Sequence, residues 1–360
     1  MKQKNLKNLN SFRRTGLVTV IAVYFLILVG GIVRSTGSGM GCPDWPKCFG
    51  SLVPPTSVDQ LPKNYQDIYL EKRLAKNERF VATLDKLGFD KAAERIANDK
   101  TILIEEEFNA TKTWIEYINR LIGVVIGFLI ILTVWKSLKL WKTDRTIPIL
   151  SIASLVLVLF QGWIGSIVVS TNLLDWMITL HMILALLLVV LLLYINHRAF
   201  LVKYENHKED QVPSKVKWLL VIGTALMVVQ IVFGTQVREE LDQISFSLGG
   251  MMRDTWIDQI GMTFLIHRSF SLVLLGIHLL YFFWAFKYTR RKSPVNKWSQ
   301  ALLLVIVMEI ATGIGMAYFA IPAFLQPVHL LLGSLIIGVQ FVLLFQLRTQ
   351  EDVNLITNPS

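Results

Sequence analysis

Residues 114–123 read Trp-Ile-Glu-Tyr-Ile-Asn-Arg-Leu-Ile-Gly, and this stretch opens a long apolar run. It places a carboxylate, an amide and a guanidinium within two helical turns, at Glu116, Asn119 and Arg120. A variant of it, Leu-Ile-His-Arg-Ser-Phe-Ser-Leu, occupies residues 265–272 and opens another apolar run. The fold must therefore accommodate two long apolar segments that each begin with polar side chains.

A constant spacing relates the two stretches. A separation of 148 residues links three pairs of positions: Asn119 with His267, His181 with His329, and Gly165 with Gly313. Arg34 and Arg238, each at the end of an apolar run, form a further pair at a larger spacing, which the long loop after the first run accounts for. The pattern predicts two halves of similar construction.

The composition indicates an integral membrane protein. Of 360 residues, 53% are hydrophobic and only 17% are charged, and the mean hydropathy is +0.50. Repeated apolar runs of about 20 residues are typical of transmembrane helices. The net charge of +10 is concentrated between these runs, which favours the positive-inside pattern of a membrane protein over nucleic-acid binding.

We predict an all-α integral membrane protein with eight transmembrane helices, arranged as two pseudo-symmetric four-helix bundles. The predicted helices lie at about residues 16–34, 113–135, 147–170, 176–196, 218–237, 261–286, 298–319 and 326–347. Because helices 1–4 and 5–8 run in the same order of directions, the repeat would be parallel, about an axis along the membrane normal. Basic loops alternate with loops poor in Lys and Arg, so both termini are expected in the cytoplasm, in a cell (inner) membrane.

The predicted organisation has five parts. These are 1–36 (flank and helix 1), 37–112 (outer loop with a cysteine tract and an insert at 56–108), 113–200 (helices 2–4), 201–350 (helices 5–8) and 351–360 (cytoplasmic tail). The insert has helix-favouring sequence, which predicts one or two amphipathic helices on the membrane surface.

Four polar positions lie within about two turns of the outer ends of helices 2, 4, 6 and 8: Asn119, His181, His267 and His329. Intramembrane polar residues face the bundle interior and are functional candidates. For any one histidine the alternative is a hydrogen bond to a neighbouring helix. Two histidines at matched depth also suit the two axial positions of a haem iron, so His267 and His329 are candidate ligands.

Three arginines near the outer boundary are candidate partners for haem propionates: Arg34, Arg238 and Arg268. The alternative is that these side chains extend to lipid headgroups. His278, three turns deeper than His267, is interpreted as structural, or otherwise as a residue on a redox path.

The first half is built differently, because Asn119 is a poor ligand for haem iron. A haem there would be held by His181 alone, with Glu116 one turn before Asn119 on the same helix face. An open coordination position beside a carboxylate suits chemistry at the macrocycle, whereas bis-histidine iron suits electron transfer or structure. The asymmetry predicts a catalytic N-terminal half and a supporting C-terminal half.

Cys42 and Cys48 are the only cysteines and lie in the outer loop, with two prolines between them. This compartment permits a disulfide. A redox-cycling dithiol or a free pair is the alternative, and the spacing is not that of a zinc site.

The tract from Gly30 to Gly50, which contains both cysteines, resembles the first helix and outer loop of haem A synthases. The Glu-Tyr-Ile-Asn-Arg motif at 116–120, His181, His267-Arg268 and Val328-His329 fall where that family has its sites. The resemblance covers nearly the whole chain apart from the insert at 56–108. The family's second N-terminal histidine is replaced here by Asn119.

This resemblance implies an eight-helix protein that oxidises the C8 methyl of haem O to the formyl group of haem A, for cytochrome oxidase. It implies haem b bound by His267 and His329, and haem O bound by His181 with Glu116 as the catalytic carboxylate and Asn119 and Arg120 beside it. It also implies a Cys42–Cys48 disulfide. Expected partners are the lipid membrane, haem O synthase and an electron-transfer protein, and the haem sites would lie towards the outer face. The oligomeric state is left open, a homo-oligomer included.

Three other functions fit the sequence less well than haem A synthesis. A non-enzymatic membrane cytochrome would explain His267 and His329 but not Glu116. A parallel-repeat transporter would be favoured by charges near the membrane midplane, and the helix centres are almost free of them. A haem O synthase would need two aspartate-rich sites, which the sequence does not provide.

Overall fold

The computed structural model describes residues 3–98, 107–171, 174–203 and 212–347. This part of the chain contains eleven α-helices: α1 (Gln3–Ser35), α2 (Tyr65–Lys86), α3 (Asp90–Ala97), α4 (Ala110–Leu138), α5 (Thr146–Ser170), α6 (Asp175–Lys203), α7 (Ser214–Ser247), α8 (Trp256–Gln259), α9 (Met262–Tyr288), α10 (Pro294–Tyr318) and α11 (Leu325–Gln346).

Eight of these helices are long and apolar enough to cross a bilayer: α1, α4, α5, α6, α7, α9, α10 and α11. Large apolar side chains remain exposed along them, for example Phe128 and Leu159, each 67% exposed, as expected where a helix faces lipid. The predicted all-α integral membrane fold is therefore confirmed.

The eight helices form two bundles. In the first bundle, α1 packs on α4, α4 on α5, α5 on α6, and α6 on α1. In the second bundle, α7 packs on α9, α9 on α10, α10 on α11, and α11 on α7. The bundles meet where α1 and α6 pack on α11 and where α6 packs on α7. The order of neighbours is thus the same in both bundles, while a symmetry axis that relates them stays a prediction.

Small polar side chains link helices inside and between the bundles. Thr19 of α1 and Thr133 of α4 share a hydrogen bond of 3.1 Å, and Thr179 of α6 donates to Thr235 of α7 at 2.9 Å. Such bonds hold transmembrane helices together where apolar burial gives no advantage over lipid contact.

Several helices are longer than predicted. Helix α1 starts at Gln3, so the predicted flank is helical, and α6 runs to Lys203, across the predicted boundary at 200/201. Helix α7 continues to Ser247, so the acidic residues Glu239, Glu240 and Asp242 lie on a helix and not in a loop as predicted. Charged side chains end a membrane span but not a helix, because Glu and Lys are good helix formers. The predicted tail at 351–360 lies outside the described residues.

Side-chain caps determine where two of the membrane helices, α4 and α10, begin. The Asn109 side chain accepts a hydrogen bond from Lys112 N at 3.1 Å and so caps α4. Ser293 caps α10 in the same way through Asn296 N, and Pro294 occupies the first helical position.

The predicted insert forms α2 and α3 and packs against the first bundle, with residues 99–106 outside the described chain. Leu84 of α2 and Ile96 of α3 are buried against Ile164, Ile167 and other apolar residues of α5 and α6. Two polar contacts fix α2 to the last turn of α5. Lys76 Nζ donates to the Ser166 carbonyl at 2.9 Å, and Asn77 Nδ2 donates to the Ser170 carbonyl at 2.8 Å. The final carbonyls of a helix, such as that of Ser170, lack helical partners, so the bond from Asn77 stabilises this end of α5.

Candidate functional site

His267 of α9 and His329 of α11 face each other inside the second bundle. Their ring centres are 6.3 Å apart and their planes differ by 71°. A metal–imidazole bond is about 2 Å long, so two imidazoles that share one iron have their ring centres roughly 6 Å apart. The pair therefore has the separation that a bis-histidine haem requires. Within the described residues no group of three or more His, Cys, Asp or Glu side chains could hold a bare metal ion.

Each of the three predicted ligand histidines lies against a glycine of a neighbouring helix. A Cβ added to Gly234 would be 3.1 Å from His267 Cε1, one added to Gly313 would be 3.4 Å from His329 Cε1, and one added to Gly165 would be 3.6 Å from His181 Cε1. The missing side chains leave the space in which the imidazoles pack on the helix surface, which is the usual role of small residues in helix contacts within membranes.

The Nδ1 atom of His329 is fixed by hydrogen bonds. It lies 3.0 Å from Thr312 Oγ1 and 3.2 Å from the Glu309 carbonyl oxygen. A carbonyl can only accept, so Nδ1 carries the hydrogen and Nε2 is left unprotonated and able to bind a metal. The Glu309 carboxyl is also close, with Oε2 3.3 Å from Nδ1. Sequence reasoning missed Glu309, the acidic residue near the centre of the predicted helix at 298–319.

The backbone of two ligand helices is fixed by buried glutamines. Gln230 Nε2 donates to the His267 carbonyl at 2.9 Å, and Gln161 Nε2 donates to the His181 carbonyl at 3.0 Å. Both glutamines are almost fully buried. They too were missed, although a lone amide in an apolar run is a signal of an interhelical contact.

The first bundle presents polar atoms that no protein group satisfies. His181 Nδ1 and Asn119 Oδ1 are both buried and have no hydrogen-bond partner in the part of the chain that the structure describes. Unpaired buried polar atoms are costly and call for an explanation, such as an unseen ligand. His267 Nδ1 in the second bundle is unpartnered in the same way, so each bundle has an unsatisfied histidine nitrogen that a bound group would account for.

Glu116 and Arg120 hold the cysteine loop on α4. Glu116 is buried; its Oε2 accepts from Cys42 N at 2.8 Å, and its Oε1 forms an ion pair with Arg120. The Arg120 guanidinium also donates to the carbonyls of Cys42 at 3.1 Å, Asp44 at 2.6 Å and Lys47 at 3.0 Å. The predicted neighbours Glu116 and Arg120 are thus brought together, and both carboxylate oxygens are bound to the loop or to Arg120.

The predicted Cys42–Cys48 disulfide is confirmed, with an S–S distance of 2.02 Å and both residues buried. The loop approaches α4 so closely that only glycine fits at position 41. A Cβ there would lie 2.6 Å from the Lys112 carbonyl oxygen. Thr113 Oγ1 adds a hydrogen bond of 2.8 Å to the Gly41 carbonyl.

The insert reaches the same region. Phe49, next to the disulfide, contacts Tyr65, Tyr69 and Phe108 edge to face, with ring centres 6.1, 5.3 and 5.4 Å away. Burial lowers the pKa of the Lys76 ammonium from its ordinary value, and the nearby Arg120 cation lowers it further. The insert therefore brings a second cation towards the Glu116 and Arg120 pair.

The three predicted propionate arginines have different surroundings. Arg34 Nη2 and Arg238 Nη2 both bind the Asp242 carboxylate, at 2.8 and 2.6 Å, and Arg238 also bonds to Gln326. Arg268 is exposed, its guanidinium lies 5.7 Å from the Phe264 ring centre, and it has no carboxylate partner among the described residues.

His278 has a structural environment. Its Nδ1 lies 2.7 Å from the Leu274 carbonyl oxygen and its Nε2 lies 2.7 Å from Gln340 Nε2, so both ring nitrogens are engaged by protein groups. This favours the structural interpretation of the two made from the sequence.

Comparison with known proteins decides the family. The chain matches the model of the COX15-CtaA family, described as cytochrome oxidase assembly protein, over residues 13–77 and 89–341. The chain belongs to this family. The match omits only 78–88 between its two parts, so the stretch without a counterpart is much shorter than the predicted insert at 56–108.

Three relatives of the chain have the same name. The chain is 24% identical over 312 residues to a protein of Shouchella clausii named "Heme A synthase", covering 84% of this chain and 85% of the relative. Proteins of the same name from Bartonella quintana and from a Wolbachia of Brugia malayi are each 24% identical, over 363 and 352 residues. These alignments cover 92% of this chain and 88% and 95% of the relatives. The resemblance inferred from the cysteine tract and the polar motifs is confirmed.

Proposed function

We propose that this protein is a haem A synthase, which oxidises the C8 methyl of haem O to the formyl group of haem A for assembly of haem–copper oxidases. The observation that carries the proposal is the difference between the bundles. In one bundle the ring centres of His267 and His329 are 6.3 Å apart, which suits two ligands of one iron. In the other bundle His181 has no second histidine, because position 119 is asparagine. The names of the relatives agree with this function.

The second bundle would hold haem b through His267 and His329. Haem b, when bound, supplies one-electron redox chemistry for the oxidation. Arg268 would bind a propionate, since it is exposed and its charge is not neutralised by a neighbouring carboxylate among the described residues. Arg34 and Arg238 would also attract the propionates, because their two positive charges share the single negative charge of Asp242.

The first bundle would bind the substrate haem O, with His181 as its ligand. Asn119 would supply no second ligand, and its buried Oδ1 would accept a hydrogen bond from the hydroxyl group of the oxidised substrate. Glu116 would be the catalytic carboxylate. Because it is bound to Arg120 and Cys42 N, it would exchange protons through that network, which also holds the disulfide loop on α4.

The net reaction converts a methyl to an aldehyde. Two successive two-electron oxidations of one carbon, each with oxygen from water, would give a gem-diol, which loses water to form the formyl group, so that four electrons and four protons leave in total. Those electrons would pass to an electron-transfer partner. Haem O synthase would supply the substrate within the same membrane. The distribution of Lys and Arg supports a topology with both termini in the cytoplasm, in which the haem sites would lie towards the outer face of the inner membrane.

Pigment analysis tests the proposal. The protein is purified from cells that co-express haem O synthase, and its haems are extracted and separated by chromatography. Haem A together with haem B is the expected result. Haem B alone, with haem O present in the cells but never converted, would overturn the proposal.

A non-enzymatic haem b electron carrier is the second candidate. The observation that favours it is Glu116, whose two oxygens are already occupied by Arg120 and Cys42 N. On this alternative the first bundle has lost its active site with Asn119, and the pigment analysis would show haem B alone.

A further inference from the structure

The two bundles differ in what surrounds corresponding histidines. At the 148-residue spacing that pairs His181 with His329, three nearby positions also correspond. These are Gln161 with Glu309, Ile164 with Thr312, and Ala185 with Gly333. The second bundle thus has a carboxyl where the first has an amide, a hydroxyl where the first has an alkyl group, and a glycine where the first has an alanine.

In the second bundle those residues meet at one atom. Thr312 Oγ1 donates to the Glu309 carbonyl at 2.8 Å, so its lone pairs are free to accept from His329 Nδ1 at 3.0 Å. The Glu309 side chain is 16% exposed, and its Oε2 lies 3.3 Å from Nδ1, close to it but without a hydrogen bond among the described residues. A Cβ on Gly333 would lie 3.2 Å from Glu309 Oε1, so the glycine provides the space that the carboxyl occupies.

The first bundle has neither a hydroxyl nor a carboxyl at these positions, and the only side-chain oxygen there, Gln161 Oε1, has no hydrogen-bond partner among the described residues. Ile164 has no hydroxyl, and the Gln161 amide donates to the His181 carbonyl at 3.0 Å rather than accepting from its ring. His181 Nδ1 accordingly has no hydrogen-bond partner among the described residues. His329 is therefore supported through Nδ1, whereas His181 in the first bundle and His267 in the second have no partner at this atom among the described residues.

We propose that Glu309 is a positioning residue which, together with Thr312, makes His329 a strong and permanent haem ligand, whereas Gln161 and Ile164 leave His181 a weaker ligand that can release its haem. This inference rests on the proposed function, in which the second bundle keeps haem b and the first must exchange haem O for haem A. Acceptors on the second ring nitrogen fix the tautomer and raise the basicity of a ligand histidine, and their loss costs about 10–100-fold in metal affinity. A more basic ligand also stabilises the ferric state, because it donates more electron density to the iron.

The test uses the full-length protein with its bound haem. Glu309→Gln keeps the size of the side chain and removes its carboxylate, and Thr312→Val removes the hydroxyl that accepts from the ring. Two quantities are measured: the midpoint potential of haem b by spectroelectrochemical titration, and the rate of haem b transfer to apomyoglobin. Gln161→Glu, the matching change in the first bundle, is the control.

We expect Glu309→Gln to raise the midpoint potential, with about a tenfold change in the oxidised-to-reduced ratio, equivalent to about 59 mV for one electron. We also expect haem b transfer to accelerate at least about tenfold in Thr312→Val and more in the double variant. Glu309→Asp should restore part of the potential. Gln161→Glu should leave the haem b potential unchanged and slow the loss of haem from the first bundle.

Unchanged potential and transfer rate in Glu309→Gln and in Thr312→Val would overturn the inference, and so would a wild-type protein without haem b. If Glu309→Gln does not accumulate, Thr312→Val decides alone. Wild-type protein that contains haem b with a Glu309-dependent potential but forms no haem A would overturn the proposed function and leave this inference standing.

Discussion

The imidazoles of His267 and His329 lie with their ring centres 6.3 Å apart, although 62 residues and two helix connections separate them in the chain. Gly234 and Gly313 each leave space for one of the rings, and Thr312 and Glu309 determine which nitrogen of His329 is free. The position of both imidazoles is thus fixed by the packing of the second bundle. A haem held there needs little rearrangement of the protein, which suits rapid one-electron transfer.

Loss of one ligand should change the spin state of haem b. In His267→Ala, His329 remains as the single histidine ligand, and we expect a low-spin six-coordinate ferric haem to become high-spin. Electron paramagnetic resonance and the optical spectrum of the purified protein measure this. A low-spin spectrum identical to that of the wild type would contradict the assignment of His267.

His278→Gln provides the matched control on the same helix. It removes the hydrogen bonds to Leu274 and Gln340, so we expect a stability loss of about 1–3 kcal/mol with the haem spectrum unchanged.

Glu116→Gln should abolish catalysis without displacing the disulfide loop. The glutamine oxygen can still accept from Cys42 N, while the ion pair with Arg120 is lost. Loss of a catalytic acid or base typically costs about 10²–10⁴-fold in rate, and we expect haem A formation to fall by at least about 100-fold with haem b retained. Thiol labelling after mild reduction checks that the buried disulfide stays protected. Full activity in this variant would refute a catalytic role for Glu116.

Gly41→Ala should destabilise the protein, because the new Cβ would lie 2.6 Å from the Lys112 carbonyl oxygen and either the loop or α4 has to move. Overpacking of this kind costs about 1–3 kcal/mol. We expect a melting temperature several degrees lower in a thermal unfolding assay in detergent. Gly123→Ala on α4 has no neighbour within 4 Å and should be neutral or stabilising. Equal changes in melting temperature in the two variants would show that the close approach of the Gly41 loop to α4 does not limit stability.

Asn119→His should restore a second histidine to the first bundle. Its counterpart His267 packs on Gly234, four residues before Arg238, and Gly30 stands four residues before Arg34 with open space around it. We expect more haem O and haem A to remain bound on purification, a six-coordinate spectrum for that haem, and slower turnover. Asn119→Leu is the size-matched control and should not increase haem retention. A histidine variant without extra bound haem would show that position 119 does not face the substrate.

Much of the fold was predictable because apolar runs of membrane length are hard to mistake. The eight helices and the disulfide follow from hydropathy and from the cysteine tract. The end of α7 was misplaced, since Glu239, Glu240 and Asp242 were taken for a loop. That error hid the pairing of Arg238 with Asp242, which needs the four-residue helical spacing. The bond from Arg34 to the same carboxylate is a tertiary contact 208 residues apart, which no local pattern indicates.

Glu309 was missed for a different reason. One carboxylate inside a strongly apolar run hardly changes its hydropathy, and α10 carries no other charge after Lys297. The spacing of 148 residues would have paired it with Gln161, a second polar side chain one turn before a conspicuous glycine. The binding of Glu116 to the Cys42 loop also lay beyond sequence reasoning, because the loop has to fold back on α4 before the two residues meet.

The division of labour between the bundles is the central claim, and a pair of variants tests it most directly. His181→Ala and His329→Ala are each expressed with haem O synthase, and bound haem B and haem A formed are quantified together. We predict that His181→Ala keeps haem B at the wild-type level and forms no haem A, whereas His329→Ala loses haem B. Loss of haem B in His181→Ala, or haem A formation that persists in that variant, would contradict a substrate site in the first bundle and a resident haem in the second.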